Sequence, residues 1–472
     1  WIYDKWTEPT YPVLRLNFLD LDKYSLEHFK QKLNAIISSF ARDINIKNYE
    51  EKVEPEDTIY FLLDELRKEK RQIVILIDEY DCQMTANINN ETLYKQFQEK
   101  IKSFYATIKN KWPIKFLGIT GVTRLKDVEI FSIGSDINDI TNDSVYSQMI
   151  GFTRDEIKKY YIDYLTLAAS YENKCRVDKV TDTQIESMLD MMAQNYDGYC
   201  FDEFYKKKVF STWSVNKFFQ SVVSNKFVYF GEYWYDNGGL PSILVNYLKT
   251  HELNIFEYLD KDKFLKVSSD DFKNPTALTT INQNVLMCQT GYLTLRSDLN
   301  KTSTVALGIP NGEIYKALNR LLANNIFKGN TDITDDYGRS LLEVGTVDDI
   351  INLFNSALNS VSYDNYPIVS ESSVQNMLKL YLLGAHQKVL SEVHEAKGRA
   401  DLVVNTDNRR IVFEFKYAKN ETEAKSKLLD AVEQIKTRDY GNIVPNKTEL
   451  LRIAAVFNAD PKVRAFTEYQ SV

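Results

Sequence analysis

The 472-residue sequence has little of several features that mark whole classes of protein. It holds four cysteines, none in a CxxC pair, which argues against a zinc site and against a disulfide framework. It has no apolar run near about 18 residues and no charged-then-apolar leader, so we expect neither a membrane span nor secretion. These absences together predict a cytoplasmic protein.

An excess of basic charge is also missing. The 58 Lys and Arg residues are outnumbered by 66 Asp and Glu residues, for a net charge of −8. Proteins that bind nucleic acid usually show a basic patch or stripe. From residue 361 onward there are 16 basic and 15 acidic residues, so the C-terminal part is nearly neutral. A chain-wide basic surface is therefore excluded, whereas a local one is compatible with these counts.

The first 150 residues alternate β-prone apolar stretches with segments whose apolar residues recur every three or four positions. The predicted strands are 11–20, 72–78 and 114–122, and the predicted helices are 25–44, 58–70 and 91–110. Alternating strands and helices with nearly continuous apolar strands predict a buried parallel sheet with helices packed on it. Residues 1–150 are therefore expected to form an α/β nucleotide-binding domain.

The remaining chain is expected to supply one or two further domains, because about 100–200 residues per domain is usual. Residues 151–330 predict a mainly helical lid or subdomain, which begins at a capping box of Thr153 and Glu156. A polar, glycine-containing stretch predicts a linker region at 331–360. Residues 361–472 show helix, hairpin, helix and strand patterns, and these predict a second α/β domain.

The strand at 72–78 ends in two adjacent acids, Asp78 and Glu79. Acids at such a position can hold Mg²⁺ and polarise water in a nucleotide hydrolase. The loop that should cradle the phosphates, GxxxxGK[ST], is absent, and the sequence has no Gly-Lys dipeptide. The sequence therefore predicts the metal and water end of an ATP site without its phosphate end.

The segment ADLVVNTDNRRIVFEF predicts a hairpin whose turn is centred between Asp407 and Asn408. In a regular hairpin with that centre Asp401 faces Glu414, and Lys416 lies on the same face. Facing like charges destabilise a sheet, whereas a divalent cation between them reverses the effect. Geometry alone leaves an amphipathic hairpin with one solvated face as an alternative. The apolar neighbours of Glu414 disfavour it, because acids are seldom buried without a partner or a metal.

Asp401, a short spacer and then the Glu-Phe-Lys that runs from Glu414 to Lys416 resemble the metal-binding hairpin of the PD-(D/E)XK nuclease superfamily. The resemblance implies that Asp401 and Glu414 bind metal and that Lys416 assists the nucleophile. It also implies supporting roles for Glu371, in the preceding helix, and Gln434, in the following helix. The implied cofactor is Mg²⁺ or Mn²⁺, and the implied substrate is DNA or RNA.

Six further stretches resemble, in order, a bacterial AAA-ATPase-like family that carries this nuclease at its C-terminus. They are VILIDEYD, GITGVTRL, GFTRDEI, YDGYCF, QTGYLTL and LGIPNGEIYKAL. The resemblance implies that Asp78 holds Mg²⁺ and that Glu79 activates the attacking water. Arg124 would contact the γ-phosphate, although an ordinary ion pair is equally compatible with its position. Family members carry a Gly-Lys-Ser loop further upstream, so a chain that begins at Trp1 rather than Met is expected to be truncated and to bind ATP only when that loop is supplied.

The predicted fold class is α/β, in three parts. A P-loop NTPase-like parallel sheet that lacks its N-terminal strand and P-loop is followed by a helical middle region and a C-terminal α/β PD-(D/E)XK nuclease-like domain. The leading functional prediction is an ATPase-coupled, Mg²⁺-dependent nuclease. One alternative is a regulatory nucleotide switch or binding protein with an inactive nuclease fold, and another is an ATPase with a structural C-terminal domain. No membrane partner is predicted, and oligomerisation is compatible with the sequence.

Overall fold

The computed structural model forms two compact units. The first unit comprises Trp1–Tyr229, Tyr233–His251 and Phe264–Pro310, and the second unit comprises Phe230–Glu232, Glu252–Lys263 and Asn311–Val472. The residues that the structure describes are 5, 7, 9–47, 49–124, 137–236, 242–248, 251, 254–275, 278, 280–327, 337–385, 387–395, 398–438, 440 and 449–472.

A three-stranded parallel sheet lies at the start of the first unit, in the order β1-β2-β3. Its strands are β1 (Val13–Asn17), β2 (Ile73–Asp78) and β3 (Ile114–Ile119). The helices between them are α1 (Leu26–Asp43), α2 (Pro55–Lys68), α3 (Cys82–Ala86) and α4 (Glu91–Ile108). The predicted parallel α/β arrangement is thereby confirmed, with element ends displaced by a few residues.

Local sequence explains where these helices begin and which side they bury. The Ser25 hydroxyl accepts a hydrogen bond from the backbone N–H of His28 at the start of α1, so one of the unpaired first-turn donors is satisfied. Phe29, Leu33 and Ile37, four residues apart, are buried on one face of that helix. The amphipathic pattern therefore packs α1 against the rest of the unit, as the sequence predicts.

The remainder of the first unit is mainly helical, as predicted. Its helices are α5 (Arg154–Tyr160), α6 (Ile162–Glu172), α7 (Asp182–Tyr196), α8 (Thr212–Asn225), α9 (Tyr233–Asp236), α10 (Ser242–Leu248), α11 (Ser269–Lys273) and α12 (Gln283–Gln289). The Thr153 and Glu156 capping box at the start of α5 is present. None of the helices that the structure describes, in either unit, is long and apolar enough to cross a membrane.

A small antiparallel sheet in the first unit was not predicted. Its strands are β4 (Leu265–Ser268), β5 (Thr294–Leu295) and β6 (Thr304–Gly308), in the order β4-β6-β5. Strands of two to five residues are too short to show a period of two against the surrounding helical pattern. The middle region is therefore helical with a short sheet, rather than helical throughout.

The second unit is built around a five-stranded mixed sheet in the order β11-β10-β9-β8-β7. Its strands are β7 (Lys388–Glu395), β8 (Gly398–Asn405), β9 (Arg409–Ala418), β10 (Glu449–Asn458) and β11 (Ala465–Ser471). Its helices are α13 (Gly312–Ile326), α14 (Tyr337–Val344), α15 (Val347–Asn359), α16 (Glu371–Gly384) and α17 (Glu421–Arg438). Strands β9 and β10 are parallel, and the other pairs are antiparallel.

The sequence predicts α16, the β8-β9 hairpin, α17 and β10, but it does not predict the two outer strands β7 and β11. Helices α14 and α15 lie within 331–360, where a linker was expected. The domain boundaries drawn from the sequence stay a prediction. In the hairpin, Leu402 pairs with Phe413 and Val403 with Val412, which is the predicted register.

Candidate functional site

The β8-β9 hairpin brings Asp401 and Glu414 together, because its register places them opposite one another beyond the last ladder pair. The Asp401 Oδ2 atom accepts a 2.8 Å hydrogen bond from the backbone N–H of Phe415. The backbone carbonyl of Asp401 accepts a hydrogen bond from the side-chain amide of Gln375, on α16. Asp401 is therefore fixed both by its own hairpin and by the preceding helix.

Glu371 completes a group of three carboxylates with Asp401 and Glu414. One oxygen from each acid lies within 4.8 Å of the others. Glu371 is the first residue of α16, and the Ser370 hydroxyl caps that helix by accepting a hydrogen bond from a backbone N–H. The cap fixes where the helix begins, and so it positions Glu371 at the hairpin. Thirty residues of chain separate Glu371 from Asp401, so only the fold brings the two side chains together.

Glu414 is the buried member of the group. Its side chain is 1% exposed, and its Oε2 atom has no hydrogen-bond partner among the described residues. Burial, helped by the negative charge of Asp401, raises the pKa of Glu414 to about 7 in spite of the lowering contact with Lys416. A divalent cation would compensate this buried carboxylate oxygen, which lacks a hydrogen-bond donor. The three acids therefore fit a divalent metal.

Lys416 lies between two of the acids. Its Nζ atom is 2.6 Å from Glu414 Oε1 and 3.3 Å from Glu371 Oε1. Burial lowers the pKa of Lys416, but the contact with Glu414 and the charges of Glu371 and Asp401 outweigh it and leave the pKa above its ordinary value. Lys416 is thus a positively charged group held at the edge of the carboxylate cluster.

Gln434 does not touch the acids. Its side-chain amide donates to the Tyr440 hydroxyl at 3.3 Å, and Arg438 donates to the same hydroxyl at 3.0 Å. The contact with Tyr440, aided by the charges of Glu414 and Asp401, raises the pKa of Arg438. Gln434 and Arg438 thus share Tyr440 as a partner, and Arg438 is a second positive charge that interacts with Glu414 and Asp401. The supporting role of Gln434 stays a prediction.

The first unit carries the other predicted site residues at the ends of β2 and β3. Asp78 Oδ1 accepts hydrogen bonds from the Thr120 hydroxyl and from the backbone N–H of Glu79. Glu79 has a φ of 55°, in the left-handed region that non-glycine residues seldom adopt. Burial raises its pKa, and the charges of Asp81 and Asp78 add to the effect. The strand thus ends in an abrupt turn with two acids beside it.

Arg124 pairs with Asp139, with 2.5 Å between its Nε atom and a carboxylate oxygen. This contact is the ion pair that the sequence left open as the alternative to a phosphate contact. A role toward a γ-phosphate stays a prediction. Arg124 is also the last described residue before 137, so its surroundings on that side are outside the described residues.

Asp81 ties the ends of β2 and β3 together, although the sequence assigned it no role. Its side chain is fully buried and accepts hydrogen bonds from the backbone N–H groups of Val122, at 3.1 Å, and Thr123, at 2.7 Å. The Thr123 hydroxyl donates to it as well. A Cβ atom at Gly121 would lie 2.7 Å from the Asp81 carboxylate and 2.4 Å from the Tyr80 ring, so only glycine permits this close approach.

Besides Asp81, three contributing residues were missed in the sequence, although each carried a weak signal. Gln375 follows Glu371 by four residues, so one helix face presents both. Arg438 follows Gln434 by the same interval. Thr120 comes directly after β3, at the edge of the sheet where the ends of parallel strands meet. Residue spacing indicates that these positions could lie near the predicted site residues. It does not show which of them face the site and which face solvent.

Two family models match the chain, one at each end. Residues 2–131 match the family described as Predicted AAA-ATPase, and residues 369–466 match the PD-(D/E)XK nuclease superfamily. The chain is also similar to a protein of Azotobacter chroococcum mcd 1 described as "Uncharacterized protein in vnfD 5'region". The two are 22% identical over 401 residues, which cover 83% of this chain and 70% of that protein. The predicted resemblance to an AAA-ATPase-like family at the N-terminal end and to the PD-(D/E)XK nuclease superfamily at the C-terminal end is thereby confirmed.

The Asp81→Asn substitution keeps the size of the side chain but replaces one carboxylate oxygen, which accepts hydrogen bonds, with an NH₂ group that cannot accept them. The lost charge-assisted bond should lower the free energy of unfolding by about 2 kcal/mol. Asp78→Asn makes the same change at an exposed position, so it should shift that free energy by less than about 0.5 kcal/mol. Urea unfolding of both 472-residue variants, followed by circular dichroism, measures the difference. Equal urea midpoints for the two variants would contradict the conclusion that Asp81 stabilises the fold by joining the ends of β2 and β3.

Proposed function

We propose that the second unit is a metal-dependent phosphodiesterase that acts on nucleic acid. The observation that carries this proposal is the meeting of Glu371, Asp401 and Glu414 within 4.8 Å, with the Lys416 ammonium beside them. The match of residues 369–466 to the PD-(D/E)XK nuclease superfamily supports the same reading.

The donor set suits a hard divalent cation. Mg²⁺ and Mn²⁺ prefer carboxylate oxygens and leave other coordination positions to water and to phosphate oxygens. Asp401 and Glu414 would hold the ion, and Glu371 would add a third, more exposed oxygen. The chemistry supplied by a bound ion of this kind is polarisation of water and neutralisation of charge on the phosphate.

The protein's own groups would position the reactants. Lys416 lies 2.6 Å from Glu414, so its ammonium can donate to a water molecule or phosphate oxygen that enters the cluster. Glu414, buried and anchored by that contact, keeps its second oxygen directed away from solvent. In the hydrolysis the water oxygen bonds to phosphorus and one phosphorus–oxygen ester bond breaks. Lys416 would stabilise the charge that develops on the phosphate.

The first unit would add an ATPase-like function. Asp78 would bind Mg²⁺, Glu79 would activate water, and Arg124 would reach the γ-phosphate after release from Asp139. The match of residues 2–131 to the Predicted AAA-ATPase family supports this assignment. ATP would bind only when a phosphate-binding loop is supplied, since the printed sequence contains no GxxxxGK[ST]. We propose that nucleotide turnover in this unit is coupled to cleavage in the second.

Substitution of either hairpin carboxylate or of Lys416 should strongly reduce the rate of cleavage. We expect Asp401→Asn, Glu414→Gln and Lys416→Met each to lower Mg²⁺-dependent cleavage of DNA or RNA at least about 100-fold, because each removes a group that faces the developing charge. Gel assays on single- and double-stranded oligonucleotides measure the rates. Asp407→Asn, in the exposed turn at the other end of the same hairpin, is the matched control and should leave the rate unchanged.

Cleavage that survives both Asp401→Asn and Lys416→Met would contradict the proposed site. If the wild-type protein binds Mn²⁺ but cleaves no oligonucleotide, the regulatory alternative with an inactive nuclease fold is favoured instead.

Metal binding can be tested without any activity. A ligand that binds only the folded chain stabilises it by about 2.7 kcal/mol at a concentration 100 times its Kd. Mn²⁺ should therefore raise the melting temperature of the wild-type protein and of Asp407→Asn, but not that of Asp401→Asn or Glu414→Gln. Differential scanning fluorimetry measures the shifts. An equal Mn²⁺ response in all four proteins would place the metal elsewhere.

Nucleotide binding should depend on the phosphate loop. The printed chain should bind Mg²⁺-ATP only weakly, whereas a longer form that supplies such a loop ahead of Trp1 should bind and hydrolyse it. Asp78→Asn in the longer form should reduce hydrolysis at least about 100-fold. Titration with a fluorescent ATP analogue and a phosphate-release assay provide the two readouts. Failure of the longer form to bind nucleotide would mean that the ATPase-like unit is degenerate.

A further inference from the structure

Arg438 carries a positive charge that takes no part in the proposed hydrolysis. It is the last residue of α17, and its side chain is exposed. Its guanidinium donates a 3.0 Å hydrogen bond to the hydroxyl of Tyr440, whose side chain is fully buried. Because packing fixes the Tyr440 ring, the hydroxyl is a stationary partner for the guanidinium. Arg438 is thus anchored at one nitrogen and remains accessible to a ligand.

Tyr440 lies on the face of the sheet that carries Glu414. It packs with Val412 and Ala454 in one apolar cluster, together with buried residues of α17. Val412 is two residues before Glu414 on β9, and Ala454 is the strand partner of Glu414 on β10, so all three point to the same side of the sheet. Helix α17 therefore covers this face and brings Arg438 to the side on which Glu414 lies.

Gly398 leaves room for the aliphatic part of the Arg438 side chain. A Cβ atom at Gly398 would lie 2.6 Å from Arg438 Cδ and 3.1 Å from a ring carbon of Tyr440. The arginine therefore lies directly against the backbone at the start of β8, the strand that carries Asp401. The contact with Tyr440 and then the charges of Glu414 and Asp401 raise the pKa of Arg438, as expected of a cation close to these acids.

A bound phosphodiester needs positive charge that the carboxylate cluster does not supply. Three ionised acids and Lys416 together carry two negative charges, which a divalent cation would neutralise. The negative charge of the phosphodiester would then have no counterpart within the cluster. Lys416 already contacts two of the acids, whereas the hydrogen-bond partner of Arg438 among the described residues is a neutral hydroxyl. A guanidinium also presents several N–H donors in a fork that matches phosphate oxygens.

We propose that Arg438 binds the phosphate of the substrate at the candidate site, and that Tyr440 and Gly398 position its guanidinium. This inference rests on the proposed nuclease function. The group recognised is the phosphate backbone of a nucleic acid, so Arg438 contributes to affinity and rate but not to sequence preference.

The test measures binding of a fluorescein-labelled oligonucleotide to the 472-residue protein at several salt concentrations, with Ca²⁺ in place of Mg²⁺ to suppress cleavage. One phosphate contact contributes about 1 to the slope of the logarithm of affinity against the logarithm of salt concentration. Arg438→Met should therefore reduce that slope by about 1 and lower the rate of Mg²⁺-dependent cleavage at least about tenfold. Its Mn²⁺-induced rise in melting temperature should match that of the wild type, because the three acids remain.

Lys436→Met is the matched control. It removes another exposed positive charge from the last turn of α17, but two residues away and so on a different face of the helix. Neither the salt slope nor the cleavage rate should change in this variant.

The positioning roles are tested by combining substitutions. Tyr440→Phe keeps the ring and removes the hydroxyl, and Gly398→Ala displaces the arginine without removing it, so each should lower the cleavage rate roughly tenfold. If both act through the arginine, adding either one to Arg438→Met should cause no further loss. Losses that add in the double variants would overturn the positioning roles. Melting temperatures establish that each variant is folded.

The remaining outcomes separate the phosphate contact from the nuclease proposal. A wild-type salt slope and cleavage rate in Arg438→Met would overturn the contact and leave the nuclease proposal standing. Equal changes in Lys436→Met would also overturn it, because they would reflect overall charge. Loss of the Mn²⁺ response in Arg438→Met would overturn it too, since the arginine would then maintain the metal site. A wild-type protein that cleaves no oligonucleotide, but whose salt slope depends on Arg438, would overturn the nuclease proposal and retain the phosphate contact.

Discussion

The buried Glu414 carboxylate is the constraint on which the candidate site depends. A carboxylate removed from water and placed opposite Asp401 is costly unless positive charge is close by, and Lys416 supplies that charge at 2.6 Å. Lys416 contacts only one oxygen of Glu414, and the other oxygen has no donor among the described residues. Burial and the charge of Asp401 together raise the pKa of Glu414 to about 7 despite that contact. The hairpin register, the cap at the start of α16 and the parallel pairing of β9 with β10 all act to hold this arrangement in place.

The two units place their acids in different surroundings. In the second unit the carboxylates converge and one is buried, so the cluster calls for a cation. In the first unit Asp78 is exposed and held by Thr120, whereas Asp81, three residues further on, is buried and joins two strand ends. Asp81 is therefore distinct from Asp78 and Glu79, the acids proposed for ATP chemistry. A substitution at Asp81 tests the stability of the fold, whereas one at Asp78 or Glu79 tests the proposed chemistry.

Much of this architecture could be predicted because it depends on sequence patterns between residues that are close together in the chain. The alternation of the hairpin fixed which residues of β8 and β9 face one another, and Thr153 with Glu156 marked a helix start that the structure contains. Strands β5 and β11 were missed because a two-residue strand has no period and a half-exposed edge strand has no continuous apolar face. The approach of Glu371 to Lys416 depends on packing between distant segments, which residue spacing does not encode.

The parallel pairing of β9 with β10 has a consequence for how the protein is made. Parallel neighbours need a crossover, here through α17, so β10 leaves the ribosome after the strand that carries Glu414 and Lys416. Until β10 has been synthesised, β9 lacks its strand partner on the side opposite β8. We therefore expect the carboxylate cluster of the nascent chain to lack its final surroundings until β10 has been synthesised, so the candidate site is completed late in translation.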